Sequence, residues 1–328
     1  MHNYRYFLND TEITDDIIYF NYSEDIDDVA SSFAFKAIRN YGITSNVNGR
    51  QSINKLTIFD VNNISLPFYV GYIFTMTRTD DRNIFEYSGY DVGFYLNNNK
   101  VLQKAQGNIA TVIRQLCNVY GITLGVIPNF SQNVYKIYKN IDFSEILKEL
   151  LELERNKGGL TGVYIDCKSE QLNILRYQIE RNLSALITEI MSVPSDNTYS
   201  NISVKDSVEN LKNRVIYTNN DEKSAYAIPK DEPTSIATFG LLSTVETIDT
   251  SKTNNLNLTA QNKLNELNKI ETEIGLTVLG DYRISKGKVL DITVPEYDLN
   301  GTYLIKSTNH IMDKNKETVK ISIEQTIV

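Results

Sequence analysis

The feature that most constrains the fold of this chain is a hydrophobic period that changes twice along its 328 residues. Up to about residue 99, apolar residues alternate with polar or small ones in short runs, as at Phe33, Phe35 and Ala37. Between about residues 100 and 181, apolar residues recur at helical spacing, and from 182 onward the short β-like runs return. We therefore expect two β-rich segments separated by a segment that contains helices.

The first β segment is predicted to hold strands at residues 17–22, 32–38, 55–61, 67–78 and 83–90. Between the first two, residues 23–30 suggest a single helical turn with Ser23 as its N-cap and acidic residues in the first turn. Residues 80–83 predict a hairpin connection.

The middle segment contains the strongest helix signals. One helix follows Asn108 and ends at Gly121, a residue type that favours the left-handed conformation at a helix C-terminus. A second begins at Asp142, where Glu145 completes a pattern similar to a capping box, and ends before the glycines at 158 and 159. A strand at 122–127 and a hairpin of 162–167 with 171–176 complete the prediction.

The second β segment is predicted to contain mostly strands, at 187–193, 214–218, 225–228, 241–248, 276–284, 288–294, 301–313 and 318–325. Short helices are expected near 205–213 and at Pro233, and a longer one at 258–274. The expected fold class is α+β, with two tube-like antiparallel β-barrel domains and packed helices, separated by a small α/β domain. The predicted domains are 1–99 (first β-barrel), 100–181 (α/β middle) and 182–328 (second β-barrel).

The composition argues against most enzyme classes. The chain has only His2 and His310, and only Cys117 and Cys167. It has no Cys-x-x-Cys, His-x-x-x-His or Gly-x-Ser-x-Gly pattern and no glycine-rich phosphate loop. We therefore expect a protein that is not an enzyme, with no catalytic residues, no metal ligands and no cofactor.

Two carboxylates and the two cysteines each allow more than one interpretation. Glu180 and Glu189 are a conceivable glycosidase pair, but no hydrolase motif surrounds them. Cys117 lies one helical turn beyond an apolar position, which predicts a core thiol. A disulfide between Cys117 and Cys167 stays an open alternative.

Several residues of the last segment are expected to be structural. Gly280 and Gly287 bracket residues that would form a strand between two tight turns, or a loop that touches a neighbouring subunit. His310 is predicted to be a structural histidine on a strand, with an interface role as the alternative. Tyr303 is expected to pack in or beside the barrel.

Charge limits the partners. The formal net charge is −8, and no basic stripe typical of nucleic-acid binding is present. Six acids and no base lie between residues 15 and 28, which predicts a solvated loop or a surface that repels a polyanion or meets a basic partner. No run of ~18 apolar residues predicts a membrane span, and the N-terminal residues lack a signal-peptide pattern. We expect no specific nucleic-acid binding and no stable membrane insertion.

The last hundred residues carry an ordered set of features. SIATFG at 235–240 is followed by a helix near Ala260, GDYRI at 280–284, Gly287, a strand at 289–294, and GTYLI at 301–305 leading to His310. This order resembles the late-control-D-type tail proteins of contractile phages, and more closely the hub proteins of defective Bacillus prophages and clostridial phage-tail bacteriocins. The runs at 107–127 and 141–153 resemble the middle region of the same hub group.

The resemblance implies a homotrimeric baseplate hub with two tube-like barrels per chain. Three chains would then present six barrels, which match a sixfold tail tube on one side and a trimeric central spike on the other. The implied partners are the tail tube protein, the central spike protein, the baseplate wedge proteins and the tape-measure protein. The implied location is the tail baseplate of a virion or bacteriocin particle, assembled in the bacterial cytoplasm.

Two other functions remain open from the sequence. The middle segment could be a peptidoglycan-binding module similar to LysM, because a strand–helix–helix–strand order is expected there. A tail-associated cell-wall hydrolase is the third hypothesis, although the chain has no hydrolase motif.

Overall fold

A computed structural model describes residues 4–47, 49–61, 63–80, 83–182, 184, 201–218, 227–247, 256–313 and 316–325. The chain forms two compact units. The larger unit comprises residues 1–203 and 275–328, and the smaller unit comprises residues 204–274.

The N-terminal part is almost entirely β structure. Its elements are β1 (Tyr4–Leu8), β2 (Thr11–Glu12), β3 (Ile17–Asp25), β4 (Ser32–Ala37), β5 (Thr44–Val47), β6 (Arg50–Ile53), β7 (Lys55–Asp60), β8 (Tyr69–Arg78), β9 (Phe85–Tyr90) and the short helix α1 (Gly93–Asn98). The predicted hairpin at 80–83 is confirmed by the antiparallel pairing of β8 with β9.

The middle part alternates strands and helices. Its elements are β10 (Lys100–Asn108), α2 (Ile109–Tyr120), β11 (Asn133–Asp142), α3 (Phe143–Gly158), β12 (Val163–Asp166), β13 (Asn173–Arg176) and β14 (Gln178–Ile179). Strand β11 separates the two helices, so the expected strand–helix–helix–strand order is replaced by strand–helix–strand–helix. The hairpin of β12 and β13 is confirmed, whereas the expected strand at 122–127 is reduced to one bridge between Leu124 and Leu172.

Local chemistry explains the ends of the two long helices. Asn108 accepts a hydrogen bond from the backbone N–H of Ala110 at 2.9 Å, and Gly121 closes α2 in the left-handed region at φ 67°. Helix α3 begins next to Asp142 as predicted, but the Asp142 side chain makes no capping bond. Its carboxylate instead binds the ammonium of Lys100 across the β10–β11 pair, at 2.7 Å.

The C-terminal part contributes the remaining elements. These are β15 (Asn201–Ser207), β16 (Arg214–Thr218), β17 (Ala227–Asp231), α4 (Pro233–Phe239), β18 (Ser243–Thr247), α5 (Leu256–Leu267), β19 (Glu271–Leu279), β20 (Lys288–Val294), β21 (Leu299–Asp313) and β22 (Lys316–Gln325). The helix expected at 205–213 is wrong, because β15 extends to Ser207, and α5 ends seven residues earlier than expected. The predicted strand at 187–193 lies outside the described residues.

The smaller unit has its own apolar core. Strand β16 pairs antiparallel with β17 and parallel with β18. Helix α5 packs Ala260 and Leu264 against Val215 and Tyr217 of the central strand. Burial of these four side chains at one helix–sheet contact supplies the hydrophobic stabilisation that a three-stranded sheet needs.

In the larger unit, the first and last β segments belong to one sheet. Its order is β19-β22-β21-β3-β4-β9-β8-β7-β1-β2, and β20 pairs with the first half of β21. The second half of β21 pairs antiparallel with β3, from Ser307 opposite Asp25 to Asp313 opposite Tyr19. The helical turn predicted at Ser23 is therefore wrong, because Ser23 lies in a strand with hydrogen-bonded neighbours on both sides.

The core of this sheet is aromatic. Phe20, Tyr22, Phe35, Tyr69 and Tyr87 are buried, with ring centroids 4.7 Å apart for Tyr22 and Tyr69 and for Phe35 and Tyr87. The fold is therefore mostly antiparallel sheet with few helices, which confirms the α+β class. The three predicted domains stay a prediction, since the compact units divide the chain at different residues.

Candidate functional site: a buried charge network beside a cleft

Four buried ionisable side chains and the half-buried Lys168, whose side chain is 23% exposed, lie where the first β segment, the middle segment and the last β segment come together in the larger unit. They are Glu24 in β3, Asp91 after β9, Asp166 at the end of β12, Lys168 two residues beyond it, and Lys286 in the β19–β20 loop. Buried charges are costly unless they are paired and hydrogen-bonded. The partners of each group therefore decide what this network contributes.

Glu24 is the centre of the network, and its side chain is fully buried. Its Oε1 accepts from the backbone N–H of Lys286 at 2.7 Å and from the hydroxyl of Thr308 at 3.2 Å. Its Oε2 accepts from the hydroxyl of Tyr22 at 2.5 Å and from the ammonium of Lys168 at 3.4 Å. The carboxylate thus connects β3, β21, the β19–β20 loop and the β12–β13 turn.

The charge of Glu24 is maintained despite its burial. Burial raises the pKa of Glu24, but the positive charges of Lys168 and Lys286 and the hydrogen bond from Tyr22 outweigh that effect, so its pKa is about 2. Burial lowers the pKa of Lys168, whereas the negative charges of Glu24 and Asp166 raise it above the ordinary value. Both groups are therefore ionised at neutral pH.

Lys286 anchors the β19–β20 loop, and no sequence pattern predicts this role. Its ammonium donates to the backbone carbonyl oxygens of Asp25 at 2.8 Å and Asp28 at 3.0 Å. The side chain is 1 % exposed, although it belongs to the β19–β20 loop. Lys286 therefore holds the turn between β3 and β4 against the β19–β20 loop.

The network contains three carboxyl groups and two ammonium groups. Burial raises the pKa of Asp91 to about 7, although its carboxylate accepts from the backbone N–H groups of Ser31 at 3.1 Å and Gly93 at 2.9 Å. Burial also raises the pKa of Asp166. One excess carboxyl in a region of low polarity is most easily accommodated by a bound proton, and the pKa of about 7 makes Asp91 a group that can hold it near neutral pH.

A cleft of about 400 Å³ lies beside the network in the larger unit. Its lining includes Phe68, Asp166, Lys168, Tyr282, Arg283 and His310. The charged groups at its rim are already paired, Lys288 with Glu180 at 2.9 Å and Arg283 with Asp281 at 2.5 Å. The basic side chains that line the cleft are therefore all paired, and the charge network beside it connects three parts of the chain.

The residues considered in the sequence occupy structural positions. His310 lies on β21, 2 % exposed, with its Nε2 2.9 Å from the carbonyl oxygen of Ile284, which confirms a strand-borne structural histidine. Tyr303 is buried on the same strand. Cys117 and Cys167 are both buried and free, so the alternative of a disulfide is not realised, and burial raises the pKa of both thiols.

The structure also gives positions for the other residues that the sequence singled out. Glu180 pairs with Lys288, and Glu189 lies outside the described residues. Gly280 and Gly287 do bracket a connection, but residues 281–286 are a loop and not a strand. The acidic run at 15–28 is not uniformly solvated, because Glu24 is buried.

Sequence reasoning missed the network itself. Glu24 follows Phe20 and Tyr22 at a spacing of two, which places all three on one face of a strand, and that signal could have identified an inward carboxylate. Nothing comparable marks Lys286, since its burial depends on contacts with residues about 260 positions away. Within the part of the chain that the structure describes, no group of three metal-ligating side chains is found. No described helix is long and apolar enough to cross a membrane.

The raised pKa of Asp91 predicts how the free energy of unfolding depends on pH. Because the folded state holds a proton on Asp91 between its ordinary pKa of 3.8 and about 7, the free energy of unfolding should fall as pH rises through that window and level off above it. Asp91→Asn should remove this contribution, on the order of a few kcal/mol. Urea unfolding at pH 4.5, 6 and 7.5, with the exposed Asp15→Asn as control, measures it; an unchanged slope in Asp91→Asn would contradict the assignment.

Comparison with known structures gives the class of the fold. The prophage MuSo2 43 kDa tail protein from Shewanella oneidensis matches with a TM-score of 0.68 and 11% identity, over 99% of this chain and 98% of that one. A tail protein from Neisseria meningitidis MC58 matches with a TM-score of 0.68 and 12% identity, over 99% and 97%. The E. coli c3393 protein, described as a type VI secretion component with structural similarity to the T4 tail proteins gp27 and gp5, matches with a TM-score of 0.51 and 9% identity, over 95% and 74%.

The chain therefore has the fold of phage tail proteins. A family model described as YQBQ-like matches residues 20–324, and the chain belongs to this family. No curated protein sequence matches it significantly.

Proposed function

We propose that this protein is the structural hub of the baseplate in a contractile phage tail or phage-tail-like bacteriocin. The observation that carries the proposal is the whole-chain similarity in fold to two prophage tail proteins, with 99% of this chain covered in each case. The similarity to a secretion component described as structurally similar to gp27 and gp5 supports a place in the part of the tail next to the spike. The role is that of a non-enzymatic scaffold.

The buried network suits such a scaffold. A hub transmits force between a tube and a spike, and a rigid joint resists changes in the relative positions of its parts. Glu24, Lys168 and Lys286 hold four segments together through hydrogen bonds of 2.7 to 3.4 Å. We expect the tail tube, the central spike and the wedge proteins to bind the outer surfaces of the hub, and the tape-measure protein to pass through its channel.

The proposed assembly is a homotrimeric ring. Two β segments per chain would give six similar contacts from threefold symmetry, and neighbouring copies would cover open sheet edges. Mass photometry of the purified chain mixed with its spike protein, or imaging of intact particles, should show three copies of 37.4 kDa in each complex. Two or six copies would contradict the proposal.

The channel of such a ring should not be basic. Three chains carry a formal charge of −24, three times −8. A basic wall would bind phosphates through counterion release and retard a polyanionic cargo, whereas acidic or polar walls repel it over a Debye length of ~8 Å. A potential map of the assembled particle should show an acidic or neutral channel; a continuous ring of Lys or Arg would refute the prediction.

The alternative of cell-wall binding concerns residues 100–181. The strand–helix–strand–helix order found there differs from the order on which the LysM-like hypothesis rests. Binding of the purified chain to isolated peptidoglycan tests that hypothesis, and zymography of the same sample tests hydrolase activity.

A further inference from the structure

The β10–β11 pair exposes an unusual face. One side packs on helices α2 and α3, with Val101, Ala105, Val134 and Tyr138 buried. The opposite side presents Leu102, Tyr135 and Ile137, with exposures of 74%, 76% and 66%. Three large apolar side chains therefore stand exposed together on one two-stranded face, where another molecule could bury them. We call this surface the ribbon face.

The ribbon face is also basic, in a chain that is acidic overall. Strands β10 and β11 contain four lysines and one aspartate. Lys100 and Lys136 are paired, with Asp142 and Glu149. No carboxylate of the described residues forms an ion pair with the other two, Lys104 and Lys139, which lie on the ribbon face.

The apolar and basic side chains alternate on this face. In the antiparallel register, Leu102 lies opposite Lys139, and Lys104 lies opposite Ile137. The ammonium of Lys104 also lies 5.0 Å from the centre of the Tyr135 ring, so the two kinds of group are in contact. A matching partner must therefore offer carboxylates and apolar side chains in turn.

The edges of the ribbon favour an extended partner. Among the described strands, β10 and β11 pair only with each other, so each has an edge without a second strand partner, although at the start of β10 the carbonyl oxygen of Lys100 accepts from the hydroxyl of Tyr120 at 3.0 Å. On a strand added there, residues at a spacing of two face the same side as Leu102 and Lys104.

We propose that the ribbon face is the docking site for an extended segment of another protein in which carboxylate and apolar side chains alternate on one face. Charge complementarity with Lys104 and Lys139 selects the acidic partner, and Leu102, Tyr135 and Ile137 supply the apolar contact. A lipid surface fits less well, because anionic headgroups contribute only about 1 kcal/mol per lysine and the face offers two lysines that are unpaired among the described residues. The inference does not rest on the proposed function, since the isolated chain suffices to test it.

The test uses the purified full-length chain and a fluorescein-labelled peptide that repeats Val-Thr-Glu-Thr three times. In an extended strand this peptide places Val and Glu alternately on one face. We expect binding by fluorescence anisotropy, at least tenfold tighter than that of a peptide repeating Val-Thr-Lys-Thr and weaker in 300 mM than in 50 mM NaCl. Absence of binding, or equal binding of both peptides, would overturn the proposal.

Two variants connect the binding to the ribbon face. Leu102→Asp with Ile137→Asp should weaken binding at least tenfold, and Lys104→Glu with Lys139→Glu should reverse the preference toward the Lys peptide. Leu66→Asp is the matched control, because Leu66 is 72% exposed on a different part of the chain. Far-UV circular dichroism should be unchanged, since all five side chains are exposed. Equal loss in the control, or binding only to phosphatidylglycerol vesicles, would reject a protein partner at this face.

Discussion

Glu24→Ala is expected to lower the free energy of unfolding of the larger unit by about 3–5 kcal/mol, the cost of breaking a buried ion pair by removing one partner. The substitution leaves three buried donors, on Tyr22, Lys286 and Thr308, without their acceptor, and it leaves the ammonium of Lys168 without its closest carboxylate. The chain has no Trp, so urea unfolding is best followed by circular dichroism and tyrosine emission.

The matched control is Glu12→Ala. Glu12 pairs with Arg5 at 2.5 Å, but both side chains are more than a third exposed, so its loss should cost no more than about 1 kcal/mol. Glu24→Gln keeps the size of the side chain and removes its charge, and should fall between the two. If Glu24→Ala costs no more than Glu12→Ala, the network does not stabilise the fold.

Gly287→Ala is expected to destabilise the larger unit by about 2–5 kcal/mol. Gly287 has φ +77°, which costs an alanine about 1–2 kcal/mol, and a Cβ there would lie 2.3 Å from a ring carbon of Tyr164, which adds about 1–3 kcal/mol of overpacking. Two contacts keep the loop in place. The backbone N–H of Gly287 donates to the carbonyl oxygen of Ile305 at 3.0 Å, and the preceding residue, Lys286, is buried.

Gly159→Ala separates the cost of the left-handed backbone from the cost of overpacking against Tyr164. Gly159 has φ +74°, and no atom lies within 4 Å of the position that a Cβ would take, so only the backbone cost applies. Thermal and urea unfolding of both variants should show the larger loss in Gly287→Ala. Equal losses would mean that Tyr164 moves away at no cost and that the close approach is not a constraint.

Local patterns predict what depends on local chemistry. The predicted positions of helices α2 and α3 are correct because their apolar faces and terminal glycines lie within one stretch of sequence. The α+β class follows from the same periodicities. The β10 and β11 strands were missed, although Val134, Lys136 and Tyr138 alternate with exposed residues, because the adjoining helical pattern begins within a few residues of each strand.

The errors have a common physical cause. At Ser23, capping chemistry favours a helical turn, yet pairing with β4 and with β21 outweighs that local preference. Strand pairing between distant segments leaves no signal in the residues near Ser23, and the same holds for the burial of Lys286. Of the charge network, only the burial of Glu24 could therefore be predicted, because its spacing from Phe20 and Tyr22 places it on the buried face of β3.

The pairing of β3 with β21 also has a consequence for synthesis of the chain. At about 5–20 residues per second, a ribosome needs roughly 15–60 s to translate the stretch between Asp25 and Ser307. During that interval one edge of β3 lacks its strand partner, and Glu24 lacks both Lys286 and Thr308. A nascent chain released early would keep that edge exposed, so truncated products should aggregate or be degraded before they can enter an assembly.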